Sequence, residues 1–102
     1  MKGKTILEED IRNAIVGIKH PAIDRTLLEL GIIKSIATEN DKAKIVLAFP
    51  FPNIPIEDYL INNVRRPVEK LGVEVEINVT VMTQEELQRF LQLEQQHWKG
   101  DR

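Results

Sequence analysis

The chain has no cysteine, and that absence excludes more chemistry than any single residue present suggests. Without thiols it forms no disulfide and offers no thiolate to a metal, so the domain must fold on packing alone. Glycine is also scarce, at five residues, and none of them builds a Gly-rich phosphate-binding loop. Histidine occurs twice, as His20 and His97, far apart and with no second ligand at metal-site spacing. No serine or threonine sits in a recognisable nucleophile motif. Charge of one sign is lacking too: 14 Lys and Arg stand against 16 Asp and Glu, a formal charge of -2, mixed along the chain without blocks. A groove for nucleic acid needs clustered positive charge, so no nucleic-acid partner is expected. No apolar run of membrane or signal length follows Met1-Lys2-Gly3-Lys4, and the expectation is a cytoplasmic chain with no membrane partner.

What is present is enough for one domain. The 102 residues, 42% of them hydrophobic, can bury a modest core. Thr5 and Glu8 have capping-box spacing, and Leu7, Ile11, Ala14, Ile15 and Ile18 recur at helical intervals, which predicts a helix over about residues 6–18. From Lys19 to Gly31 the pattern is that of a loop pinned to the core by Ile23, Leu27, Leu28 and Leu30. Ile32–Thr38 and Ala43–Phe49 are aliphatic and β-branched runs separated by Glu39-Asn40-Asp41-Lys42, a hairpin signal.

Pro50, Pro52 and Pro55 exclude the next stretch from the interior of a sheet, because proline brings no ladder donor. Pro55 then suits the first position of a second helix, in which Ile56, Leu60, Val64, Val68 and Leu71 recur up to Gly72. Pro67 should kink that helix or restart it near Asn63. Val73, Val75, Ile77, Val79 and Val81 alternate with polar residues and predict a half-buried strand. Thr83 and Glu86 repeat the capping box ahead of a third helix over about 84–98, carrying Leu87, Phe90, Leu91 and Trp98, with a frayed tail beyond.

The order α-β-β-α-β-α predicts an α+β fold: a two-layer sandwich whose three-stranded mixed sheet has its helices packed on one face, with a right-handed crossover joining the parallel pair. Residues 1–82 read as the α/β domain and 83–102 as a C-terminal helix and tail.

Most chemistry-bearing residues have a plain structural reading. Glu8-Glu9-Asp10 and Glu57-Asp58 stand at helix starts, where carboxylates meet the positive end of the dipole. Arg65-Arg66 reads as a solvated helix face, and Asn78-Val79-Thr80 is a glycosylation acceptor only in a secreted chain. The loop 49–55 differs. Phe49, Phe51 and Ile54 either fold back on the core or form a stiff apolar lip at a helix start, and Phe49, Phe51, Asn53, Ile54 and Pro55 are the candidate contact surface for a partner.

His20-Pro21-Ala22-Ile23, Leu27-Leu28-Glu29-Leu30-Gly31-Ile32-Ile33, Ile54-Pro55-Ile56, Leu71-Gly72-Val73 and the strand Val75–Val81 together resemble the iron-sulfur assembly domain that occurs alone in PaaD-like proteins and at the N-terminus of Mrp-type P-loop ATPases. The resemblance covers about residues 7–82. It implies the fold above and a place in iron-sulfur maturation. The family's acidic pair falls on His20 and Ala22, its loop threonine near Pro50, and its cysteine on Ile54. With that cysteine replaced, the chain is expected to carry no cofactor and to serve as a non-catalytic accessory or docking domain, bound to a P-loop ATPase carrier or an iron-sulfur client. The rival expectation is a fold reused for an unrelated partner or for self-association. A small-molecule enzyme is disfavoured, since no acid, base or nucleophile remains at the family's site.

Overall fold

The computed structural model describes residues 6–98. The expected capping residue Thr5 and the tail 99–102 lie outside them. The elements run α1 (Glu8–Ile15), β1 (Ile33–Glu39), β2 (Lys42–Phe49), α2 (Glu57–Glu69), β3 (Glu74–Val81) and α3 (Gln84–His97). The sheet order is β1-β2-β3, with β1 antiparallel and β3 parallel to the central β2. This is the mixed three-stranded α+β arrangement that the element order implies.

The hairpin turns where Glu39 pairs with Lys42, and Asn40 and Asp41 between them both take positive φ, 50° and 66°. That conformation matches strand twist, and Asn and Asp tolerate it better than most residues. Strand parity then sorts the side chains. Ala43, Ile45, Leu47 and Phe49 of β2 share a buried face with Ile36 of β1, packed in one core with Ile11 and Ile15 of α1 and Leu60, Val64 and Val68 of α2. On the open face Lys42 pairs with Glu76 at 3.3 Å and Lys44 with Glu39 at 2.6 Å.

Several local expectations change. Helix α1 is shorter than residues 6–18, and the Asp10 carboxylate accepts from the Leu7 N–H at 3.0 Å at its start. Pro55 lies ahead of α2 rather than at its first position, which Glu57 takes. The helix is not restarted at Asn63 but runs through Pro67 to Glu69. Pro67 stands near the C-terminal end, so the missing N–H removes one bond and little helix beyond it depends on that bond. β3 is an edge strand, and although Val75 and Ile77 are half-buried, Val79 and Val81 are 44% and 46% exposed. The expected half-buried face of this strand therefore fades toward its C-terminal end.

Candidate functional site: an apolar cleft at the end of the sheet

The loop between α1 and β1 is irregular but tied down. Ile23 and Leu27 are fully buried, Lys19 bridges to Thr26, and the His20 N–H donates to the Arg25 carbonyl at 3.1 Å. Within it the Ala22 N–H donates to His20 Nδ1 at 3.0 Å. A nitrogen that accepts carries no proton, so in this arrangement the imidazole holds its proton on Nε2. His20 itself is 8% exposed.

A second wall comes from the segment after β2. Pro50 is buried, Asn53 is exposed at a φ of 57°, and the Glu57 N–H donates to the Ile54 carbonyl at 3.1 Å, which seats Ile54 just ahead of α2. Phe51 is 52% exposed and Ile54 half-buried. The first candidate contact, Phe49, is corrected by the structure: at 1% exposure it belongs to the core. It has the parity of Ala43, Ile45 and Leu47 and ends the buried face of β2, so it presents no surface to a partner.

Helix α3 closes the third side. Its start is fixed by the capping box, in which the Thr83 N–H donates to Glu86 Oε1 at 2.8 Å and the Glu86 N–H to Thr83 Oγ1 at 3.2 Å. Lys34 of β1 approaches Glu86 Oε2 to 3.4 Å. The Glu86 carboxyl is held below the usual range chiefly by the Thr83 backbone N–H; burial opposes this, and Lys34 adds a smaller lowering. At the far end the Asp24 N–H donates to the His97 carbonyl at 2.8 Å, and Ile23 bridges to Trp98. Between these ties Phe90 is buried.

The three walls line an open cleft of about 480 Å³. His20, Pro21 and Ala22 line one side, Pro50, Phe51 and Ile54 to Ile56 another, and Phe90, Glu94 and Trp98 the third. His20, Ala22, Pro50 and Ile54, far apart in sequence, thus meet in one place, while Asn53 stands at the loop tip outside the lining. The residues that the sequence left unassigned are those of α3. Phe90, Glu94 and Trp98 recur every four positions, the spacing of a single helix face, and that was the available signal.

The lining is nearly all hydrocarbon, with His20 and Glu94 its only ionisable groups. The lining includes no serine, threonine, cysteine or lysine to act as a nucleophile. Nor does the donor set suit an iron-sulfur cargo: the chain has no cysteine, and among the described residues no group of three or more His, Cys, Asp and Glu could hold a metal ion. What such a surface does well is exclude water from an apolar group.

Comparison with known proteins agrees with the fold. A domain of unknown function, DUF59, from Bacillus anthracis superposes with a TM-score of 0.64 at 19% identity, over 78% of this chain and 81% of that one. A search of curated proteins gave no significant match. The family described as iron-sulfur cluster assembly protein matches residues 8–83, from the start of α1 to the cap of α3, and the chain belongs to that family.

Proposed function

We propose that this chain is a non-catalytic accessory or docking domain of iron-sulfur cluster assembly, which grips a protein partner through the apolar cleft and does not itself hold the cargo. Family membership supports the role in cluster assembly. The observation that carries the docking reading is that Ala22, Pro50 and Ile54, where the resemblance places an acid, a threonine and a cysteine, line one apolar cleft together with Phe51 and Trp98. The partner is a carrier ATPase of the P-loop class or a client protein. The cleft asks it for one large apolar side chain. Glu94 on the wall makes no ion pair among the described residues, so a lysine or arginine beside that anchor completes the fit. The reading is of a cytoplasmic protein, in keeping with a fold that uses no disulfide.

The test is a photo-crosslinking amino acid placed at position 51 of the full chain in its native cell. Adducts with cluster-assembly proteins are expected, and Ile54→Asp should abolish them. With the partner then purified, Phe51→Ser should weaken binding by about 1–3 kcal/mol, the range of a modest hot spot, with little change in melting temperature. Adducts confined to proteins outside cluster assembly would favour the same fold reused for another partner. Adducts insensitive to Ile54→Asp would place docking elsewhere.

A further inference from the structure

The two edges of the sheet are protected very differently. β1 carries a bulge between Ile33 and Ser35, and within it Lys34 engages Glu86. Both devices blunt an edge against further pairing. β3 has neither: its eight residues, Glu74–Val81, include no proline, no lysine and no bulge in the pairing with β2.

Backbone parity shows what that edge offers. The Met82 N–H donates to the Phe49 carbonyl of β2 at 2.8 Å. Strand groups alternate in direction, so Thr80, Asn78, Glu76 and Glu74 also face β2, and the N–H and C=O groups of Val75, Ile77, Val79 and Val81 point away from the sheet. Arg65 agrees with this, since its Nη1 reaches the Val75 carbonyl at 3.4 Å and occupies that end of the edge. Ile77, Val79 and Val81 remain with outward backbone groups and no strand beyond them among the described residues. Their side chains lie on the helix-covered face, where Val79 and Val81 are exposed.

We propose that the outer edge of β3 pairs antiparallel with β3 of a second copy of this chain, across a two-fold axis at Val79, joining two sheets into one. In this register Val79 faces Val79 and Ile77 faces Val81, apolar against apolar, with their outward N–H and C=O groups exchanged. On the open face Asn78 meets Thr80. Glu74 and Glu76 of the two copies fall at opposite ends, beyond the paired segment. A parallel, in-register partner would instead set each carboxylate beside its own copy, and that repulsion selects the antiparallel arrangement. Val75, already engaged by Arg65, is left out of the pairing. The interface is small, so the association is concentration-dependent rather than permanent.

Sedimentation velocity on the full chain from about 10 µM to about 1 mM reads this directly, with dimer expected at tens to hundreds of micromolar. Val79→Lys should weaken association by about tenfold or more with an unchanged melt, because lysine on an edge opposes pairing. Since the chain has no cysteine, Val79→Cys gives a second readout. Its thiols meet across the axis, and under mild oxidation it should form a linked dimer at least about tenfold faster than Thr80→Cys, whose side chain lies on the other face. Phe51→Ser should leave association unchanged, which keeps this test separate from that of the cleft. A wild-type chain monomeric at about 1 mM, a Val79→Lys variant that associates like wild type, or equal crosslinking at positions 79 and 80 would each overturn the proposal.

Discussion

Phe90→Ala tests whether α3 is part of the fold or an appendage to it. Phe90 is the buried residue of α3, at 4% exposure, and it lies between the core and the cleft. Truncation to Ala removes about 100 Å² of buried apolar area, worth roughly 2.5 kcal/mol at 25 cal/mol/Å². A sealed void would add a further cavity cost and bring the total to about 3–5 kcal/mol. Here the space opens into the cleft, where water and the exposed Phe51 and Trp98 can relax into it, so the expected loss is about 2.5–3.5 kcal/mol. For a domain of this size the urea midpoint should fall by about 1–3 M. The control is the adjacent Leu91→Ala, whose side chain is 37% exposed and whose loss should stay below about 1 kcal/mol. Far-UV circular dichroism during urea unfolding makes the measurement. Equal midpoints for the two variants would refute the packing argument. A loss of helical signal in the native baseline, with the main transition unmoved, would show that residues 83–98 melt apart from the preceding domain.

Ile45→Ala, at a fully buried central-strand position, should cost about 2–5 kcal/mol, whereas Ile77→Ala on half-buried β3 should cost about 1–2; equal urea shifts would contradict the edge position of β3. The lowered Glu86 carboxyl contributes stability that is complete above the unfolded glutamate range, near pH 4.3, and is lost as pH falls through its lower folded value. Glu86→Gln, which keeps the capping geometry, should therefore flatten the acid limb of the stability curve below about pH 4.5 and leave the neutral region nearly unchanged; an unaltered acid limb in pH-dependent melts would refute this. Anaerobic reconstitution with iron and sulfide should leave the protein colourless after desalting, since stable clusters need thiolate or histidine ligands; a stoichiometric visible band would contradict the donor analysis.

The features legible in the sequence are those whose cause is local. The Asn40-Asp41 turn, the Thr83/Glu86 capping box and the existence of the strand β3 each depend on a few neighbouring residues, and each is present in the structure. Misreadings arise where the deciding partner is distant. Alternation shows which side chains of β3 share a face, but strand order decides whether a neighbour covers them, and among the described residues Val79 and Val81 have none on their outer side. Whether Pro67 restarts the helix depends on how much helix follows it, and here only two residues do. Phe49 adjoins the proline loop in sequence, but its parity with Leu47 puts it on the core face. The cleft was half legible: family resemblance aligned His20, Ala22, Pro50 and Ile54, but the wall formed by Phe90, Glu94 and Trp98 depends on where α3 crosses the end of the sheet.

On the docking reading proposed above, the residues around the cleft form a consistent set. A carboxylate at position 22 would share the cleft with Pro50, Phe51 and Ile54, hydrocarbon that disfavours its charged form, and with His20 and Glu94 as its only ionisable neighbours in the lining. Once position 54 is aliphatic, an acid at position 22 loses both a cargo to meet and a polar neighbour to satisfy it. Alanine removes that conflict. His20, the remaining polar group of that segment, takes the Ala22 N–H on Nδ1, and among the described residues no buried side-chain nitrogen or oxygen lacks a partner. The ionisable groups that the cleft presents to an occupant are thus His20 and Glu94. An apolar anchor entering it displaces water from hydrocarbon without breaking a hydrogen bond in the wall, and the proline-stiffened loop loses little conformational freedom when it closes. A site organised around metal would have the opposite character, with fixed polar donors converging on a point. On the docking reading, the aliphatic Ile54 and the apolar walls suit a side chain better than a cluster.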